Sequence, residues 1–221
     1  MPLFTAVPPN ACSVAFSNGL PAFLSGGLPG TTVSETFVGA APNIPSPADV
    51  GIAMSGSTPG PPNITAVLQA YVLTLQDAAN NTGVITPVHV GWNFFAGDTA
   101  NATVLGRMVH RRHAWKLVAV HYGSIVFDTL NLVRLITSTP PSQVDAADYD
   151  LRLLAIPGLN VEVFWLAARS ATSTDFVIHT PTFIPALHMG YPNSPLLIQN
   201  FLTDIRPLAA DLLTMGAGYG A

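Results

Sequence analysis

Residues 149–168 read "YDLRLLAIPGLNVEVFWLAA". Two apolar runs, 149–156 and 161–168, flank a break at "PGLN". Val161, Val163 and Trp165 alternate with Glu162, Phe164 and Leu166, which is the period of a strand. Pro-Gly suits a tight type II turn between antiparallel neighbours. The stretch therefore predicts a β-hairpin and, with it, an antiparallel sheet.

The sheet extends in both directions along the chain. "VITPVHVGW" at 84–92 and "DFVIHT" at 175–180 have strand composition, with Pro87 favouring an edge. "AWKLVAVHY" at 114–122, then Gly-Ser, then "IVFDTLNLVRLI" at 125–136 reads as a second hairpin. Ile125, Leu132 and Ile136 also fit a helical face, so helix is the rival reading of 124–137. The expected sheet has about four to six strands.

Two helices are expected beside it. Over 63–79, Ile64, Val67, Leu68, Tyr71, Val72, Leu75 and Ala79 follow helical spacing, and Asn63 can cap the start. Over 194–215, Ser194 is an N-cap candidate and Pro195 suits the first turn. Ile198, Phe201, Leu202, Ile205 and Leu212 line one face, and Pro207 should kink or split the helix. Residues 1–62 carry only Glu35 and Asp49 as charges and are broken by Pro and Gly, so long regular elements are not expected there. Phe4, Phe16, Phe23, Leu24 and Phe37 call for burial, which predicts an ordered arm lying on its own surface or a neighbour's. The fold class is α+β. Arm 1–62 precedes a single domain over 63–215, and 216–221 form a flexible tail.

Composition narrows function. Only 9% of the 221 residues are charged, against about 25% in ordinary soluble chains. Such a surface suits coverage by other subunits. A net charge of −4 makes nucleic acid an unlikely partner. No positively charged opening segment and no long apolar run appear, so neither a signal peptide nor a membrane span is expected. A cytoplasmic setting or a place in an assembly is favoured. Cys12 is the single cysteine and is read as a packing residue.

Few motifs point to chemistry. The only lysine, Lys116, lies outside any phosphate-binding loop, and no nucleophile elbow or H-E-x-x-H is present. Asp145, Asp148 and Asp150 read as a solvated loop. Glu162 would be costly to bury alone, so Arg152 on the partner strand is its expected ion-pair mate.

One cluster stands out. "RMVHRRHAWK" at 107–116 holds four of the chain's eight basic residues, Arg107, Arg111, Arg112 and Lys116, and none precedes it. It reads as a solvated turn, a subunit contact or an anion site. His110, His113 and His121 could gather around a metal if the segment were helical, with Asp98 or Asp128 in support. If 115–122 is a strand, His113 and His121 lie about 26 Å apart, too far to share an ion. Trp92, Phe94, Phe95, Trp115 and Trp165 could line an apolar ligand cavity.

The leading expectation is a non-catalytic structural or interaction protein that assembles with itself or other subunits, without a cofactor. The alternatives are a small apolar-ligand module and a metal-dependent hydrolase.

Overall fold

The computed structural model describes residues 3–24, 32–33, 62–80, 85–97, 102–122, 124–138, 144, 147–180 and 194–218. In chain order these form β1 (Leu3–Phe4), α1 (Asn10–Leu24), β2 (Thr32–Val33), β3 (Ile64–Val72), α2 (Leu75–Ala79), β4 (Val88–Gly97), β5 (Ala102–Arg111) and β6 (Ala114–Tyr122). Then follow α3 (Ser124–Ser138), β7 (Tyr149–Ile156), β8 (Val161–Ala168), β9 (Phe176–His179), β10 (Leu196–Leu197) and α4 (Ile198–Gly218). The class is α+β. The ten described strands exceed the four to six expected. Their pairing is mixed rather than antiparallel throughout, because β1 on β7 and β2 on β6 are parallel.

The chain forms two compact units that interleave along the sequence. The first comprises Met1–Thr5, Ala70–Val90 and Arg134–Ala221. Its strand order is β10-β9-β8-β7, with β1 also on β7. The hairpin at 149–168 forms as predicted, from Tyr149 opposite Ala168 to Ile156 opposite Val161. Its loop is a 3₁₀ turn at Pro157–Leu159 closed by left-handed Asn160, not a type II turn, and the Asn160 amide donates to the Pro157 carbonyl at 3.0 Å. One face of the hairpin buries Leu154, Ile156, Val161, Val163 and Trp165 against Ile198, Phe201, Leu202, Ile205 and Ala209 of α4. The other face is also buried, at Leu151, Leu153, Phe164 and Leu166. Coverage on both faces explains the nearly unbroken apolar runs.

The register corrects the expected Glu162–Arg152 pair. Glu162 lies opposite Ala155, whereas Arg152 lies opposite Trp165 on the other face. Arg152 instead pairs with Asp150 at 2.9 Å. Its guanidinium carbon sits 5.0 Å from the Tyr71 ring centre and 4.8 Å from that of Trp165.

The second unit comprises Ala6–Gln69 and Gly91–Val133. Here β4, β5 and β6 are consecutive antiparallel neighbours, with β2 beyond β6. Alternation sends Trp92, Phe94, Val104, Met108, Leu117 and Val120 to one face, where they meet Cys12, Phe16 and Leu20 of α1. Those three α1 residues recur every four positions, so they form one helical stripe.

Helix α1 lies inside the stretch where no long element was expected. Its described residues pack on the sheet of their own unit, so this part of the arm is a core element. Residues 25–31 and 34–61 of the expected arm lie outside the described residues, as does the tail beyond 218.

Further expectations are overturned. Residues 64–72 of the predicted helix are β3, and only Leu75–Ala79 is helical, capped by Thr74. The predicted strand at 125–136 is helix α3. At the C-terminus, Ser194 does not cap the helix, because β10 intervenes before α4 begins. Of the kink or split expected at Pro207, the split does not occur, because α4 runs through it as one element. Thr203, whose carbonyl loses its donor to the proline, and Pro207 itself are both exposed. Water can therefore take that hydrogen bond. Among the described residues no helix is long and apolar enough to cross a membrane.

Candidate functional site

The basic cluster is the end of the β5–β6 hairpin. Arg111 pairs with Ala114, so Arg112 and His113 alone make the turn. Both have positive φ, 50° and 66°. Two-residue hairpin turns of this kind match the twist of their strands, and Asn-Gly is their natural filling. A left-handed residue with a full side chain costs of order 1 kcal/mol. Arginine and histidine thus occupy the two positions of the hairpin where a bulky side chain costs most.

The register sorts the cluster by face. Val109 opposes Lys116 and Arg107 opposes Ala119, which puts Arg107, Arg111 and Lys116 on the side away from α1. His110 opposes Trp115 on the α1 side, with ring centroids 5.0 Å apart. His110, Arg111, Arg112, His113 and Lys116 are exposed, while Trp115 is half-buried. Arg111, Arg112 and Lys116 have no carboxylate partner among the described residues. The tip therefore carries a cationic side, an aromatic side and a charged apex. Such guanidinium and ammonium groups can donate charge-assisted hydrogen bonds to carboxylates or phosphates.

Arg107 sits deeper and belongs to a different environment. Its Nε donates to Asn93 Oδ1 at 3.4 Å, and Asn93 is fully buried. On the same face His121 is pushed down to about 4, first by burial and then by the Arg107 charge. At neutral pH this imidazole is therefore uncharged. Asn93 is a polar core residue that sequence reading passed over inside the run "GWNFFAG".

The three histidines do not converge. His110 faces Trp115, His113 is in the turn, and His121 lies opposite Leu105 towards the other end of the ladder. Asp128 is exposed on α3, and Asp98 lies outside the described residues. Among the described residues no three His, Cys, Asp or Glu side chains form a group able to hold a metal.

The five aromatics are dispersed as well. Trp92, Phe94 and Trp115 belong to the cluster around α1. Phe95 points to the opposite face of β4, and Trp165 is in the first unit's core. Trp165 Nε1 donates to Asp175 Oδ2 at 2.8 Å, so its polar edge is engaged within the fold. Cys12 is fully buried, and burial pushes its thiol up to about 12, which leaves it protonated and unreactive.

No protein-family model, curated protein or solved structure matches this chain.

A second feature lies on α4. Leu208, Leu212 and Met215 are 39%, 39% and 61% exposed. Sequence reading placed Leu212 on the buried face, but the core contacts of α4 reach only to Ala209. Leu208 flanks the core face beside Ala209, and Leu212 and Met215 lie beyond it, so this part of α4 presents large apolar side chains to solvent.

Proposed function

We propose that this protein is a structural or interaction protein that assembles with copies of itself, and that it performs no catalysis of its own. The observation that carries this reading is the set of exposed large apolar side chains beside and beyond the core face of α4, at Leu208, Leu212 and Met215. Large exposed side chains at helical spacing favour association, since burial stabilises each by about 1.5–3 kcal/mol. The low charge of the chain, 9%, removes much of the desolvation cost of covering its surface. The basic hairpin tip adds orientation and long-range attraction.

The part of residues 1–62 nearest the start packs on its own unit. Assembly through the α4 stripe and the hairpin is accordingly the form of the proposal that the described residues support. Light scattering on the full chain across micromolar concentrations tests it. The expected result is a mass that rises with concentration above that of the 23.2 kDa chain. A mass fixed at one chain over the whole range sinks the reading.

A further inference from the structure

We infer that the β5–β6 hairpin tip of one copy docks on the C-terminal half of α4 of a second copy. The inference rests on the self-assembly reading and names its surfaces.

The α4 surface is defined by spacing. At about 100° per residue, Asp204, Leu208, Asp211, Leu212 and Met215 fall within one stripe roughly 100° wide. All five are exposed. The helix's only base, Arg206, is on the far side of the cylinder from Asp204. Neither Asp204 nor Asp211 has a cationic partner among the described residues. The stripe runs about 17 Å from Asp204 to Met215 at 1.5 Å per residue. It is an apolar ridge edged with two unpaired carboxylates.

The hairpin tip has the complementary composition. It carries Arg111, Arg112 and Lys116, which have no carboxylate partner among the described residues, with half-buried Val109 on the same face as Arg111 and Lys116. Arginine is among the side chains most enriched where interfaces concentrate their energy, because it combines apolar area with directed donors. Two strands about 4.8 Å apart fit beside a stripe of that length. The charge distribution favours this match over a contact between like surfaces. Tip against tip brings cations together, and α4 against α4 brings carboxylates together.

A tip on an α4 stripe is a heterologous contact. Each copy offers one of each surface, so the contact propagates into rings or open chains instead of stopping at a two-fold dimer. The surface buried per contact is at the small end of protein interfaces, so the pairwise step is weak and salt-sensitive.

Sedimentation velocity on the full chain tests the pairing, at low and at about fivefold higher salt, with circular dichroism and melting to confirm that each variant folds. Wild-type protein should associate, and association should weaken with salt. Arg111→Glu with Arg112→Glu should weaken it by about tenfold or more, and Asp204→Lys with Asp211→Lys should do the same. All four changes in one chain should restore association. Leu208→Ser with Met215→Ser should weaken it at both salt concentrations.

A strictly monomeric wild type overturns this inference together with the self-assembly reading. If the wild type associates but neither charge reversal weakens it, the named surfaces are wrong and self-assembly stands. Suppose the tip reversal alone weakens association, the α4 reversal does not, and the wild type binds short polyphosphate through Arg111 and Arg112. The tip then serves a polyanion, and the pairing with α4 is overturned.

Discussion

Phe16 of α1 stacks on Phe94 of β4, with ring centroids 4.5 Å apart and planes 16° from parallel. The stack depends on Gly106 of β5, where an added Cβ would fall 2.4 Å from the Phe16 ring. A glycine in the middle of a strand costs conformational entropy, and here it makes room for the helix. Phe16→Ala should destabilise the protein by about 3–5 kcal/mol, and Gly106→Ala by about 1–3 kcal/mol. Urea unfolding of both single variants and the double variant checks this. In the Phe16→Ala background the Gly106→Ala penalty should largely vanish, because the ring that it would strike is gone. Full additivity of the two costs contradicts the packing described.

That helix shows where the sequence was hard to read. Gly19 and Pro21 lie inside α1, and both depress helix propensity. The buried stripe of Cys12, Phe16 and Leu20 is carried by one small and two large residues, too sparse to stand out. Tertiary burial decided the outcome.

At 63–79 and 125–136 spacing and composition point to different elements, and the winner differs between the two segments. In β3 the apolar residues are spaced for a helix, but Ile64, Thr65, Val67, Tyr71 and Val72 are β-branched or aromatic. That enrichment was the informative signal. In α3, Val126, Leu130, Val133 and Ile136 are buried, while Asp128, Asn131 and Arg134 recur every three residues on the other side. That polar spacing was readable as a helix despite the β-branched content. By contrast, 149–168 was legible because its two runs and its punctuation agree at every position. The candidate site was half legible. The clustering of Arg111, Arg112 and Lys116 is plain in the sequence, whereas the exposure of Leu208, Leu212 and Met215 depends on where the core beneath α4 ends.

Acidification should weaken the fold through His121. Its pKa is pushed from the ordinary 6.5 down to about 4, so the unfolded chain binds its proton first. The neutral form's contribution is fully present above about pH 6.5 and is lost as pH falls through the window down to about 4, by up to about 3 kcal/mol. His179 is also held low by burial and adds in the same direction. Urea midpoints at pH 7.5 and pH 4.5 measure the loss. His121→Gln should flatten the curve in part, leaving the portion due to His179. An unchanged slope in that variant places the acid sensitivity elsewhere.

Asp175 ties three elements of the first unit together. Its carboxylate accepts from Trp165 Nε1 at 2.8 Å and from the Ala168 amide at 2.8 Å, and its carbonyl accepts from the Ile198 amide at 3.1 Å. Asp175→Ala keeps the carbonyl but leaves the indole and the Ala168 amide without their acceptor. The expected cost is about 2–4 kcal/mol, with a change in tryptophan fluorescence as the ring's polar edge is released. Asp175→Asn should recover part of the stability, since its amide oxygen can serve one of the two donors. Wild-type stability in Asp175→Ala excludes the tie.

The turn at Arg112 and His113 separates stability from function. Arg112→Asn with His113→Gly supplies the residues that positive φ favours and should raise stability by about 1 kcal/mol, read from the urea midpoint. The same change removes the apex charge of Arg112 and the His113 ring, leaving Arg111 and Lys116 behind. Self-association should therefore weaken while the fold becomes more stable. A merely structural turn predicts the first effect without the second, because nothing would then engage the side chains. Arg112→Asn alone loses a full positive charge and keeps histidine in the strained position, so it should weaken association with little gain in stability. If the double variant is more stable and associates like the wild type, the strained Arg-His pair has no role in assembly.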